Sequence, residues 1–402
     1  MVTKTKLSLK DLDLKDKKVL MRVDFNVPLD NKNNITDDTR IRAALPSIQY
    51  VLEQGGALIL MSHLGRPKGM PEAKYSLAPC AKALASILGK PVKMAPNCVG
   101  SEVESLAQSL KPGEILLLEN LRFNPAEEKP ENDPKFAQKL AKLGDIYVND
   151  AFGTAHRAHS STVEITKYFP GKAAIGFLME KEIEYLSKLL NDPARPFYAV
   201  IGGAKISSKI GVLKALLKVV DAIFIGGGMT YTFLKSQGVA IGKSLHEDDL
   251  INEAGEILKA SKMENKKCYL PLDNVIAQEI KENAPSRIVK TNEGIPDNYQ
   301  GVDIGPQTIE QYVKELKKAK TVFWNGPMGV FEIKEFAKGT NAIAHTLADL
   351  KGMTVVGGGE SVAAVEAAGV ADKISHISTG GGASLEFIEF GTLPGIEALS
   401  DV

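Results

Sequence analysis

TVVGGGES, residues 354–361, begins on β-branched residues and runs into three glycines, an acid and a hydroxyl. An unbroken apolar run of this kind reads as a strand buried on both faces, as in a parallel sheet. The same design occurs in FYAVIGG (197–203), AIFIGGG (222–228) and TVFWNG (321–326), and CYLPLDNVIA (268–277) is read as one more strand. In the first half the equivalent runs are KVLMRVDFN, ALILMSHL, EILLLENLRF and DIYVNDAFG, with helical patterns such as Ile41–Leu52 and Leu77–Leu88 between them. Strand, helix, strand in this rhythm predicts parallel sheets covered by helices on both faces. MEKEIEYLSKLL (179–190) sets Ile183, Leu186 and Leu190 on one helical face and reads as a connecting helix. The fold expected is α/β: two doubly wound, Rossmann-like parallel-sheet domains joined by a helix and hinge.

Composition excludes several classes of function. The 402 residues suffice for two domains of ordinary size. Lys+Arg and Asp+Glu both number 49, so no basic excess points to nucleic acid as a partner. The N-terminus, MVTKTKLSLKDLDLK, alternates charge with leucine and lacks the apolar core of a signal peptide. No run approaches the length of a membrane span. Cys80, Cys98 and Cys268 are odd in number and far apart, which argues for a reducing compartment without disulfides or a zinc site. A cytoplasmic protein is expected.

The glycine clusters carry the chemistry of the second half. In open α/β sheets ligands bind at the carboxyl ends of the strands, where each cluster sits. Bare backbone there lets N–H groups approach an anion, and the following helix N-terminus adds partial positive charge. Neither GxGxxG nor a Walker A loop is present; GVAIGKS (238–244) is one residue short of the latter. In IGGAKISSKI, Lys205 and Lys209 stand four apart, expected at a helix start and hence on one face. Glu360 is placed to hold a magnesium ion bridging phosphates, or else is an acid favoured near a helix N-terminus. The second half thus reads as a nucleoside triphosphate site without a P-loop.

A different set of side chains fills the first half. Six of the eight arginines, Arg22, Arg40, Arg42, Arg66, Arg122 and Arg157, precede residue 160. Several fall at strand ends, in TRIR, SHLGRP, ENLRF and AHRAHSS, and their guanidinium forks suit carboxylate and phosphate oxygens. His63 adds a donor. DFNVP brings Asp24 and Asn26, fit for a substrate hydroxyl or for orienting an arginine. His156 and His159 lack a third neighbour and are not read as metal ligands. The pocket expected is one for a small, highly anionic molecule.

Together these motifs resemble the phosphoglycerate kinase family. The resemblance runs through DFNVP, SHLGRP, KYSLAP, ENLRF, NDAFGTAHRAHSS, IGGAKISSKI, IGGGM, WNGPMGVFE, VVGGGES, STGGGAS and LPGIEAL, in order, over essentially the whole chain. It implies reversible phosphoryl transfer between ATP and the carboxylate of 3-phosphoglycerate, with magnesium, in glycolysis. It further implies an N-terminal acid-binding domain (1–177, completed by a returning segment 386–402), a linker helix and hinge (178–192) and a nucleotide domain (193–385). Asp24, Asn26, Arg40, His63, Arg66, Arg122 and Arg157 correspond to the acid-substrate site. Lys205, Lys209, Gly226, Gly227, Gly301, Asn325, Glu332, Gly358, Gly359, Glu360 and Ser361 correspond to the nucleotide site, with Glu360 toward the metal. Arg40, Lys205 and the Gly381–Gly382 turn are expected to act on the transferring group. Position 360 carries Glu where the family commonly has Asp, and EFG (389–391) stands where many members read EGK. A monomer that closes about its hinge is expected. A kinase for a different small acid and a non-enzymatic nucleotide-binding regulator are the rival readings.

Overall fold

A computed structural model describes residues 5–402. The first four residues of the charge-and-leucine N-terminus, part of the reading against a leader, lie outside the described residues. The chain divides into two compact units, one running up to Glu184 and including Thr392–Val402, the other Tyr185–Gly391. The helix Phe177–Asn191 carries the chain from one to the other.

The first unit holds a six-stranded parallel sheet. Its strands are β1 (Lys18–Arg22), β2 (Ala57–Met61), β3 (Val92–Met94), β4 (Ile115–Leu117), β5 (Ile146–Asn149) and β6 (Ala173–Ile175), in the order β3-β4-β2-β1-β5-β6. The centre is apolar on both faces: Val19, Leu20 and Met21 of β1 and Leu58, Ile59 and Leu60 of β2 are fully buried. Helix Thr39–Glu53 covers one face through Ile41, Ala44, Ile48 and Val51, the spacing of a single helical stripe. Strand order reverses direction between β1 and β5, which opens a crevice at their carboxyl ends.

The second unit repeats the plan with β7 (Phe197–Ile201), β8 (Ala222–Ile225), β9 (Lys267–Tyr269), β13 (Thr321–Asn325), β14 (Met353–Gly357) and β15 (His376–Ile377), ordered β15-β14-β13-β7-β8-β9 and all parallel. Its reversal lies between β7 and β13. A second, antiparallel sheet of β10 (Asp273–Ala277), β11 (Ser286–Lys290) and β12 (Gln300–Ile304) is ordered β11-β10-β12. The parallel sheets are as expected from the sequence; this small sheet is not. CYLPLDNVIA, expected as one strand, splits at Pro271 into β9 and β10. Proline has no N–H for a ladder and disfavours continuation of the preceding geometry. The solvent-facing β11 has no apolar run by which to find it. Cys80, Cys98 and Cys268 are free thiols, each pushed up to about 12 by burial. No described helix is long and apolar enough to cross a membrane.

Candidate functional site

In the first unit the loops leaving β1, β2, β4 and β5 carry the arginines and histidines to one end of the sheet. Asp24, two residues past β1, is 8% exposed and pairs with Arg40 at the start of helix Thr39–Glu53. Asp24 thus holds an arginine in place. Asn26 accepts the Gly65 N–H at 2.9 Å, which shapes the SHLG turn. Gly65 has a φ of +61°, and a Cβ there would lie 2.4 Å from the Tyr75 ring, so the turn requires glycine. Buried Asn120 ties the turns after β2 and β4 together. Its amide donates to the Leu64 carbonyl at 2.7 Å, and its oxygen accepts from Arg122 N at 3.0 Å.

Electrostatics shows how closely the charges converge. Burial, then the charges of Arg22, Arg122, Arg40 and His159, hold the His63 imidazole well below its ordinary range. Burial, Arg22, Arg122, Arg157 and His156 push His159 down to about 3. Burial lowers Arg122 against the pull of Glu128, with Arg22 and Arg66 adding to the fall. So Asp24, Asn26, Arg40, His63, Arg66, Arg122 and Arg157 are brought together. Three carboxylates oppose the five guanidinia: Asp24 on Arg40, Glu128 at 3.3 Å from Arg122, and Glu127, which reaches Arg22 through Ser161. Arg66 and Arg157 are exposed and make no ion pair among the described residues, and the Arg122 Nε is buried without a partner. A cluster this cationic, with two neutral imidazoles, suits a small polyanion. The sequence reading did not assign Arg22, Glu127, Ser161 or His159 to the site. The signal available for Arg22 was an arginine inside an otherwise apolar strand.

The glycines of the second unit are of two kinds. Where the loops after β7, β8 and β13 meet, backbone presses on backbone. Gly203 N donates to the Pro327 carbonyl at 2.9 Å and Gly227 N to that of Met328 at 2.9 Å. A Cβ on Gly227 would lie 2.5 Å from Gly203 N, and one on Gly226 2.4 Å from the Met328 sulfur. Those glycines are required for loop packing, whatever else they do. Gly359, Gly381 and Gly382 instead have no atom within 4 Å of an added Cβ. They begin the helices Gly359–Ala367 and Gly382–Phe390, where unpaired N–H groups point outward.

Beneath Gly358 lies a buried support. Asn325, 1% exposed, donates to the Gly357 carbonyl at 2.6 Å and accepts from the Lys209 ammonium. The Ser361 hydroxyl accepts the Gly326 N–H at 2.6 Å. Burial lowers the Lys209 ammonium, while the nearby Glu360 charge supports it. The shared helical face expected for Lys205 and Lys209 is not formed. Lys205 is extended and precedes the short 3-10 helix Ile206–Ser208, and Lys209 precedes helix Ile210–Leu217, so no single helical face carries both. Lys205 is exposed beside Glu247. Burial raises that carboxyl, but hydrogen bonds from Ser207 and Ile206 and the Lys205 charge outweigh it.

A cleft of about 230 Å³ opens next to these loops, with Gly227, Gly301, Glu332 and Glu360 among its lining and Leu245, Ile280 and Val330 supplying apolar walls. Gly301 is a close approach: a Cβ there would lie 1.7 Å from the Tyr231 hydroxyl. Polar ends and an apolar slot of this size suit a nucleotide's ribose and base, beside loops able to take its phosphates. Among the described residues no three His, Cys, Asp or Glu side chains gather as a metal cage. The family model described as phosphoglycerate kinase matches residues 9–390. A phosphoglycerate kinase of Moorella thermoacetica is 58% identical over 396 residues, covering 98% of this chain and 99% of that protein. A cytosolic phosphoglycerate kinase of Triticum aestivum is 54% identical, with 98% of each covered. The solved structure of phosphoglycerate kinase from Coxiella burnetii superposes with a TM-score of 0.87 at 40% identity, again over 98% of each chain.

Proposed function

The chain belongs to the phosphoglycerate kinase family, and from that premise we infer how its two clusters share the reaction. It is a phosphotransferase that moves a phosphoryl group reversibly between ATP and the carboxylate of 3-phosphoglycerate, a glycolytic step. The arginine cluster of the first unit takes the phosphoglycerate, and the glycine loops and lysines of the second take the nucleotide. One observation carries this division: five guanidinia converge on one strand-end crevice against only three carboxylates, while the apolar slot lies in the other unit.

The acceptor needs no general base. A carboxylate has an ordinary pKa of about 4 and is ionised at neutral pH. What opposes transfer is repulsion between an anionic nucleophile and an anionic phosphoryl group, so the protein must supply cations and N–H donors. Arg40, held by Asp24, orients and neutralises the carboxylate. Arg66, Arg122, Arg157 and His63 hold the remote phosphate. Lys205, exposed and in no ion pair among the described residues, meets the transferring phosphoryl, and the open N–H groups at Gly381 and Gly382 complete the cradle. Lys209, Asn325, Gly226, Gly227, Gly358, Gly359 and Ser361 shape or contact the phosphate loop. Glu332 and Gly301 face the ribose and base. Magnesium fits as a passenger of the nucleotide: Glu360 would offer one carboxylate and the phosphates the other oxygens, offsetting their charge. In-line transfer then requires the units to close on the two substrates and exclude water. A cytoplasmic monomer is the accompanying expectation.

Reciprocal kinetics test the division. Arg66→Ala should raise KM for 3-phosphoglycerate and leave that for ATP alone, whereas Gly359→Ala should do the reverse. Exchanged effects would overturn it.

A further inference from the structure

Arg22, the last residue of β1, is fully buried beneath the arginine cluster. Its Nε donates to the Ser161 hydroxyl at 2.9 Å, its Nη1 to the Val23 carbonyl, and its Nη2 lies 3.1 Å from His63 Nδ1. A guanidinium has donors and no acceptor. His63 Nδ1 must therefore be the acceptor, and the single proton of the neutral ring sits on Nε2. At the other end burial pushes the Glu127 carboxyl up, and the Arg22 charge and the hydrogen bonds from Ser161 oppose that rise. The Ser161 oxygen already accepts from Arg22, so its proton turns to Glu127 Oε1 at 2.5 Å, while Glu127 Oε2 accepts Ser161 N at 3.1 Å. Glu127 and Ser161 are fully buried, so water does not compete for these protons.

We propose that Arg22 is a positioning residue that locks His63 as its neutral Nε2–H tautomer, with Ser161 and Glu127 fixing Arg22 in turn. The imidazolium would direct an Nδ1 proton at a guanidinium, and burial together with Arg22, Arg122, Arg40 and His159 opposes a second proton. The nearby carboxylates are engaged elsewhere, Asp24 by Arg40, Glu128 by Arg122 and Glu127 by Ser161. His63 is thus a donor-only contact that adds no charge. It selects an acceptor oxygen on the ligand and cannot receive a hydroxyl proton, leaving charge recognition to the arginines. This catalytic consequence rests on the reading of the cluster as the acid-substrate site; the tautomer itself does not.

A two-bond nitrogen–proton correlation spectrum of the full chain labelled with 15N-histidine tests it, with His63→Gln assigning the signal. The ring should show a protonated Nε2 and an acceptor Nδ1, unchanged from about pH 8 down to about pH 5.5, a range across which an ordinary histidine titrates. An Nδ1–H ring, a tautomer mixture or an imidazolium would overturn the inference. Arg22→Met combined with Glu127→Gln removes both buried charges together and so leaves neither unpaired. In that protein His63 should populate both tautomers, and affinity for 3-phosphoglycerate should fall in proportion to the Nε2–H fraction lost, about twofold for an even mixture. A pure Nε2–H ring in the double variant would remove Arg22 as the cause. If the wild-type tautomer is as stated but 3-phosphoglycerate leaves the His63 signals unmoved, the acid-site reading fails and the tautomer inference stands.

Discussion

Two glycine-to-alanine substitutions should have opposite consequences. Gly359 opens helix Gly359–Ala367 with nothing within 4 Å of an added Cβ. Alanine there should stabilise by up to about 1 kcal/mol, because glycine loses more chain entropy on folding. Yet a helical Cβ tilts toward the N-terminus, so the methyl would stand where a phosphate must approach the free N–H groups. Losing one charge-assisted hydrogen bond costs about 1.5–3 kcal/mol, or roughly 10–100-fold in ADP affinity. Gly227 differs on both counts. Its φ of +69° would cost alanine about 1–2 kcal/mol, and the clash at 2.5 Å with Gly203 would add about 1–3 kcal/mol of overpacking. For a unit of about 200 residues each kcal/mol lowers Tm by about 2–4 °C, so the second unit should melt about 4–20 °C lower. Calorimetric melting and ADP titration of both variants provide the readout. If Gly359→Ala bound ADP like the wild type, or Gly227→Ala melted at the wild-type temperature, the separation of open from packed glycines would be wrong.

Lys205→Ala should lower kcat by about 10²–10³-fold, the usual worth of one electrostatic contact to the transition state; steady-state assays with a retained kcat would remove it from the mechanism. Small-angle scattering should give a smaller radius of gyration with both substrates than with either alone, and equal radii would contradict closure. Asp150 carries a pH signature. Burial pushes its carboxyl up to about 7 against hydrogen bonds from Ser47 and from Met179 and Leu178 at the start of the connecting helix. Because its folded pKa exceeds the unfolded value, the folded state holds the extra proton. Its contribution is complete below about 4 and is lost as pH rises through about 7. Asp150→Asn, which keeps the accepting oxygen, should flatten the fall in stability between pH 5 and 8 seen by denaturant titration; an identical slope would exclude Asp150 as its source.

The two parallel sheets were legible because β1, β2, β7, β13 and β14 are buried on both faces along most of their length and are apolar through their centres. The strand-end arginines were legible for a related reason: after such a run, a charged residue has only the sheet's end at which to meet water. What escaped was set by tertiary context. β11 is paired to β10 but faces solvent, so its composition gives no period. The fork between structural and open glycines depends on which strand-end loops meet, as those of Gly203 after β7 and Gly227 after β8 do, and no local motif encodes that. Lys205 and Lys209 have helical spacing, yet the extended backbone at Lys205 and the short 3-10 helix between them break the expected face. Arg22 lay in plain view inside KVLMRVDFN, but its role follows only from Ser161, Glu127 and His63, which the fold gathers from distant positions.

Hydrogen–deuterium exchange with one ligand at a time tests the division of labour most directly. With 3-phosphoglycerate alone, protection should rise in residues 62–67, 119–123 and 155–161. With ADP and magnesium alone, it should rise in 202–209, 226–231 and 357–361. Protection by both ligands within the same unit, or the acid protecting the glycine loops, would contradict the account.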